Sequence, residues 1–259
     1  MTKNQEVMHL AVSAGEILIR NGGEISRVES TMRHIIEAYG IRHYNVYVLA
    51  NGIFATMETM DSGGTPYVLI RDVNFGIVNL ERIAAVNQLS REICRFHYPP
   101  GLAMEKMQRC EQLQTYSLLE KSIATGLGCA SFTLLLGGRP WDSLAAFFFG
   151  GILQLLLYYF RTRSFSRFFY TVAASAFVTL LTVIARALRL PVHGDMVIIG
   201  CIMPLVPGLA LTNSIRDFFN ADYLSGVIHM VDALLTALCI AVGVVLILTL
   251  HQTLGGTLL

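Results

Sequence analysis

Charge is what this sequence has least of. Only 14% of its 259 residues are Asp, Glu, Lys or Arg, while 54% are hydrophobic; soluble domains carry about a quarter charged residues. The deficit points to lipid as part of the solvent. The net charge is +1, which leaves no basic face of the kind a nucleic-acid partner needs. There is no CxxC pair among the five cysteines, Cys94, Cys110, Cys129, Cys201 and Cys239, and the last three lie in apolar runs. A disulfide framework or a zinc site is therefore not expected. GxSxG, HExxH and a phosphate-cradling glycine loop are all missing, and His9, His34, His43 and His97 have no ligand spacing. No cofactor or metal is implied. Met1 to Gln5 lacks a basic segment followed by an apolar one, so no cleaved signal peptide is expected and the first domain stays on the side where it is made.

What is there falls into two parts, a small α+β domain over residues 1–117 and a membrane domain over 118–259. In the first, Val7, Leu10, Ala11, Ala14, Ile17 and Leu18 share one helical face, and Asn21-Gly22-Gly23 ends that helix. A second helix begins near Glu24, with Ile25, Val28, Met32, Ile35, Ile36 and Tyr39 on its apolar side, and stops at Gly40. The period then changes. Tyr44 to Ala50 and Ile53 to Thr59 flank Asn51-Gly52, which predicts a hairpin. Asp61 to Gly64 predicts a turn and Tyr67 to Val73 a third strand. Helical spacing returns from about Ile77 to Phe96, Pro99-Pro100 breaks it, and Leu102 to Thr115 forms an amphipathic linker. The order ααβββα plus a linker helix describes an α+β domain. Glu24 to Thr31 is dense in polar groups, with Glu24 and Arg27, and Glu29 and Arg33, at ion-pair spacing. That pattern suits a solvated helix face or a docking surface.

Beyond it, apolar segments near 118–138, 141–160, 168–188, 196–212 and 227–250 predict five spans. Trp141 and Tyr158-Tyr159 stand where interfacial aromatic belts belong. With the first domain inside, seven Lys and Arg near the spans face the cytoplasm (Lys106, Arg109, Lys121, Arg161, Arg163, Arg167, Arg216) and three face out (Arg139, Arg186, Arg189). The positive-inside rule favours that orientation, which leaves the C-terminus outside. Small residues recur four apart, as Gly126 with Ala130, Ala146 with Gly150, and Thr171 with Ser175. Such spacing suits close helix packing, within the chain or with another subunit.

The fourth span is interrupted by Pro204-Leu205-Val206-Pro207-Gly208. Pro204 cannot donate to the Gly200 carbonyl, nor Pro207 to that of Met203, and Gly208 tolerates unwound backbone. Irregular backbone at membrane depth is buried in protein or lines a wet cavity, and carriers bind solutes at such breaks; a kink that only shapes packing is the alternative. Arg189, His193 and Asp195 precede the span; Asn213, Arg216, Asp217 and Asp222 follow it. His229, Asp232 and Thr236 share a face at the start of the fifth span. Asp232, inside that span, is a candidate proton carrier with His229 tuning it. Interfacial capping is the other reading of both.

Gly23-Glu24-Ile25-Ser26-Arg27-Val28-Glu29, Asn79-Leu80-Glu81-Arg82, the Pro204–Gly208 run, Thr212-Asn213-Ser214-Ile215-Arg216-Asp217 and Ser225-Gly226 together resemble the threonine/serine exporter family of bacteria and fungi. The resemblance covers nearly the whole chain. It implies a transporter subunit, not an enzyme, exporting small polar metabolites across the bacterial plasma (inner) membrane with the proton gradient as driving force. Long members of the family fuse this unit to a second block of membrane helices. The chain resembles the split form, whose missing half comes from a second small integral membrane protein in a hetero-oligomer. Split pairs imply a C4 dicarboxylate such as succinate, the family name threonine or serine. On this basis Pro204, Pro207 and Gly208 form the break, Asn213 and Asp217 line or gate its cytoplasmic mouth, Arg216 assists an anionic substrate, and Asp232 with His229 carries the coupling proton. The rivals are a regulatory subunit gating a partner, and a membrane-anchored hydrolase with its chemistry in residues 1–117.

Overall fold

Helix α1 (Lys3–Arg20) opens on a capping box: the Thr2 hydroxyl accepts from the Gln5 N–H, and the Gln5 side chain accepts from the Thr2 N–H. The computed structural model containing it describes residues 2–58, 66–74, 76, 78–113, 116–163 and 165–254. The chain divides into two compact units, Met1–Thr115 with Leu209–Met230, and Tyr116–Gly208 with Val231–Leu259. The first unit thus takes in a stretch that the hydropathy pattern alone assigns to the membrane domain.

In the first unit α1 is buried nearly all round. Val7, Met8, Leu10, Ala11, Val12, Ala14, Ile17 and Leu18 are inaccessible or almost so, because α2 (Ile25–Ala38), α3 (Leu80–Phe96), α4 (Pro100–Glu111), β2 (Gly52–Glu58) and β3 (Pro66–Asp72) all pack on it. Burying each large aliphatic side chain contributes about 1.5–3 kcal/mol, so this one helix organises the core. β1 (Tyr44–Leu49) pairs antiparallel with β2, Leu49 opposite Gly52, so the two-residue turn is Ala50-Asn51, one residue earlier than the expected Asn51-Gly52, and Gly52 opens β2. β2 pairs antiparallel with β3, giving the order β1-β2-β3. Val46, Val48, Ile53, Ala55, Met57 and Leu69 point into the core, and Tyr47, Phe54 and Ile70 form an exposed cross-strand row. The expected turn at Asp61 to Gly64, and the terminal residues Thr59, Ile77 and Thr115 of three expected elements, lie outside the described residues. Asn79 caps α3 and Pro100 occupies the first turn of α4.

The second unit contains α5 (Leu118–Leu135), α6 (Pro140–Thr162), α7 (Arg167–Ala187), α8 (Gly194–Ile202) and most of α10 (Tyr223–Thr253); α9 (Gly208–Phe219) lies almost wholly in the first unit. Among the described residues three helices are long and apolar enough to cross a membrane, α6, α7 and α10, or up to four if the broken pair Gly194–Leu205 and Gly208–Phe219 counts as one. The sequence pattern predicts five. Helix α5 falls short: it has 18 residues, opens on Glu120-Lys121 and carries Ser122, Thr125 and two glycines. Leu234, Leu238, Val245 and Leu246 of α10, and Leu119, Phe148 and Leu155 of α5 and α6, are exposed. Such a surface is an aggregation liability in water and an ordinary exterior in lipid.

Packing explains the small residues. A Cβ on Gly126 would stand 2.6 Å from the Phe147 carbonyl oxygen, and one on Gly150 2.6 Å from Cys129 Sγ. Both glycines therefore serve the α5–α6 contact, the packing-within-the-chain reading of the four-residue spacing. On α7, the buried hydroxyls of Thr171, Ser175, Thr179 and Thr182 donate to the carbonyls of Arg167, Thr171, Ser175 and Val178. Each satisfies itself on its own helix, as a hydroxyl away from water must.

Candidate functional site

The interruption in the apolar pattern is an interruption in the helix. After α8 the chain tightens into a 3₁₀ turn, Met203–Leu205, with Pro204 at its centre. Val206 is extended (φ −62°, ψ 130°), the conformation a residue before proline prefers. Helix α9 starts after Pro207, at Gly208. Of the two carbonyls expected to lose partners, that of Met203 accepts from the Val206 N–H at 3.2 Å, since the tighter turn brings a donor one residue sooner. Gly208 is not among the glycines with positive φ; Val206 carries the break, and a Cβ on Gly208 would meet no atom within 4 Å.

The residues that follow are gathered in the first unit. Ser214 and Asp217 lie on the buried side of α9. The Ser214 hydroxyl donates to the Gly226 carbonyl at 2.8 Å, and Asp217 Oδ2 stands 2.8 Å from His229 Nδ1. Between them the chain reverses through Ala221, in the left-handed region at φ 61°, and the Asp222 side chain accepts from the Ser225 N–H at 3.4 Å. Arg216 turns to the other side of α9, where its Nη1 donates to Glu24 Oε2 at 2.6 Å. The same carboxyl accepts from Ser26 Oγ at 2.7 Å and lies 3.2 Å from Arg27 Nε. The two polar motifs, at the start of α2 and after the proline break, therefore meet at Glu24. Asn213 is half-buried one residue before Ser214.

Sequence reasoning misses Glu24. The pattern places it on a solvated helix face, yet its side chain is 12% exposed. The available signal is its position directly after Gly22-Gly23, at the N-cap of α2, where its side chain makes no cap bond. Arg167 is missed as well. It counts among the basic loop residues, but its Nη1 donates to Asp232 Oδ2 at 2.9 Å in the second unit, with the Asp232 side chain 18% exposed. Asp232 also lies further along its helix than expected, because α10 starts at Tyr223 rather than near Val227.

In a buried pair such as Asp217–His229, deleting one partner strands the other. Asp217→Ala and His229→Ala are each expected to destabilise the first unit, and the double variant to cost less than their sum. The coupling should be about 1–3 kcal/mol, read from thermal unfolding of the four proteins in one detergent. Additive losses would mean that the 2.8 Å contact contributes nothing.

The rival chemistry in residues 1–117 finds little support. Burial pushes the Cys94 and Cys110 thiols up, away from the reactive thiolate. Burial, helped by Arg71, pushes His9 down; its Nε2 shares a 2.9 Å hydrogen bond with the Tyr67 hydroxyl.

A family model described as threonine/serine exporter matches residues 9–251. A protein of Corynebacterium glutamicum named threonine/serine exporter is 25% identical over 216 residues, covering 82% of this chain and 44% of the relative. The chain thus spans less than half of that relative's length. No solved structure matches the chain.

Proposed function

We propose, from the premise that the chain belongs to the threonine/serine exporter family, that it is the larger subunit of a secondary exporter of small carboxylate-bearing metabolites. The observation carrying this reading is the proline break: a 3₁₀ turn and an extended residue between α8 and α9, two helices that together are long and apolar enough to cross a membrane. Backbone of that kind survives at membrane depth where a solute, an ion or water satisfies it. Pro204, Pro207 and Gly208 form the break. Asn213 and Asp217 gate its cytoplasmic mouth, with Arg216 assisting an anionic substrate and Glu24 holding Arg216 between uses. Asp232 carries the coupling proton, with Arg167 as its partner; His229, expected from the sequence to tune it, pairs with Asp217 instead. Residues 1–117 lie in the cytoplasm, the C-terminus lies outside, and the membrane is the bacterial plasma membrane. A second small integral membrane protein supplies a further block of membrane helices.

Threonine and serine are the substrates in the relative's name; a C4 dicarboxylate fits the split architecture. Both present a carboxylate, which a guanidinium holds in two parallel hydrogen bonds. The test is direct. The chain is drawn from its native membrane in mild detergent with whatever accompanies it, and the complex is reconstituted in proteoliposomes with labelled threonine and labelled succinate inside. Efflux of one label, accelerated by an inward proton gradient, is the expected result. Efflux of neither, from vesicles in which the complex is folded and oriented both ways, sinks the proposal.

A further inference from the structure

Asp142 is the other fully buried carboxylate of the chain's described residues, and the exporter cycle proposed for the break does not use it. It sits in the first turn of α6 with 0% of its side chain exposed. Three N–H groups converge on it: Arg139 N at 2.8 Å, His193 N at 2.7 Å and His193 Nδ1 at 2.9 Å. Three donors and no acceptor are what a carboxylate needs when water is removed. The imidazole is therefore held with its proton on Nδ1, leaving Nε2 as the acceptor, and the His193 side chain is 45% exposed. A buried carboxylate that fixes the tautomer of a half-exposed histidine is the arrangement by which a protein presents a proton acceptor.

We propose that Asp142 and His193 form a proton-accepting site in the second unit, on the side opposite the Arg167–Asp232 pair along α7. His193 Nε2 takes a proton from the water outside the membrane; the neutral imidazole becomes imidazolium, and Asp142 offsets its charge. The consequence lies in the chain order. His193 is the N-cap of α8, and α8 runs directly into the break at Met203–Pro207. An added cation opposes the positive end of the α8 dipole, so protonation loads the helix that leads to the break. The charged side chains of the adjoining segments are Arg139 before α6, Arg186 and Arg189 at the end of α7, and Asp195 in the first turn of α8; of these only Asp195 favours the imidazolium. The interrupted stretch is thus flanked in sequence by two carboxylate–imidazole pairs, each within its own unit: Asp142–His193 before it and Asp217–His229 after it.

The role in transport rests on the exporter reading, whereas the proton site itself does not, so two measurements separate them. The first is ¹⁵N NMR of the histidine-labelled full-length protein in lipid nanodiscs, with the His193 signals identified by their loss in His193→Asn. Asparagine keeps a donor for Asp142 but cannot take up a proton. The expected result is Nδ1 protonated and Nε2 bare, with Nε2 gaining its proton on acidification and Asp142→Asn releasing the tautomer. A proton on Nε2 at the start, or an imidazole that stays neutral on acidification, overturns the proposal. The second is efflux from proteoliposomes holding the complex, at varied external pH. His193→Asn is expected to retain efflux within about twofold when both sides have equal pH and to lose its response to external acid. An unchanged response overturns the transport role. If the wild-type complex moves no substrate, the exporter reading fails while the NMR result still decides the proton site.

Discussion

Replacing Pro204 and Pro207 together by alanine is expected to stabilise the protein and abolish its transport. The two effects have one cause. Each proline inside a helix costs about 3 kcal/mol relative to alanine, through a missing N–H and a ring that clashes with the preceding turn. The double substitution restores both donors, so the Gly200 and Met203 carbonyls can accept from i+4, Met203 exchanging the Val206 N–H for the donor at 207. The 3₁₀ turn at Met203–Leu205 and the extended Val206 then lose their reason to exist. The substitution shifts the balance between broken and continuous helix by roughly 6 kcal/mol toward the continuous form, and about 5.5 kcal/mol already moves a two-state equilibrium from 1:99 to 99:1. The melting temperature in detergent should rise while efflux falls to background. The combination is diagnostic, because a misfolded variant loses stability and activity together. Undiminished efflux from a protein with a raised melting temperature would reduce the motif to a packing kink.

The difference between what the sequence displays and what it conceals follows from the range of the interactions involved. Helix α1, with its apolar positions at three- and four-residue spacing, and the Asn51-Gly52 hairpin are local patterns. Each can be read from a dozen or so consecutive residues. The break at Pro204–Pro207 is local too, since proline acts on its own turn. Apart from Asp217 and His229, 12 residues apart, the charged partners are not local. Arg216 and Glu24 are 192 residues apart, Arg167 and Asp232 65, and His193 and Asp142 51. No periodicity links such residues, and each member has an innocent local explanation: Glu24 as a helix-start acid, Arg167 as a positive-inside charge, Asp142 as a first-turn acid after Arg139-Pro140. Helix α9 misleads for a related reason. Its apolar composition reads as the end of a span, whereas the burial of Ser214 and Asp217 on one side marks it as part of the first unit.

On the coupling role proposed for Asp232, Asp232→Asn is expected to uncouple transport from the proton gradient without stopping exchange. In the wild type, Asp232 faces a permanent cation, the Arg167 guanidinium at 2.9 Å. Loading a proton onto Asp232 breaks this charge-assisted pair and leaves the arginine to seek another anion; releasing the proton restores it. The pair therefore has two states that differ by one proton, which a coupling site requires. One pH unit across the membrane is worth about 1.4 kcal/mol per proton, so an exporter exchanging one proton per substrate can hold about a tenfold substrate gradient for each unit. Asparagine still donates and accepts hydrogen bonds at position 232, and the Thr236 hydroxyl keeps the Asp232 backbone carbonyl it binds at 2.8 Å. Its charge, however, cannot change. In proteoliposomes with a one-unit gradient, the steady-state substrate ratio should fall from about ten to about one, while exchange of labelled for unlabelled substrate continues at equal pH. Arg167→Gln makes the complementary case, because it leaves a carboxylate that can still titrate but has lost its partner. It should keep a response to the gradient. A tenfold gradient surviving in Asp232→Asn would take the coupling proton away from Asp232 and leave its pairing with Arg167 as a structural clamp between α7 and α10.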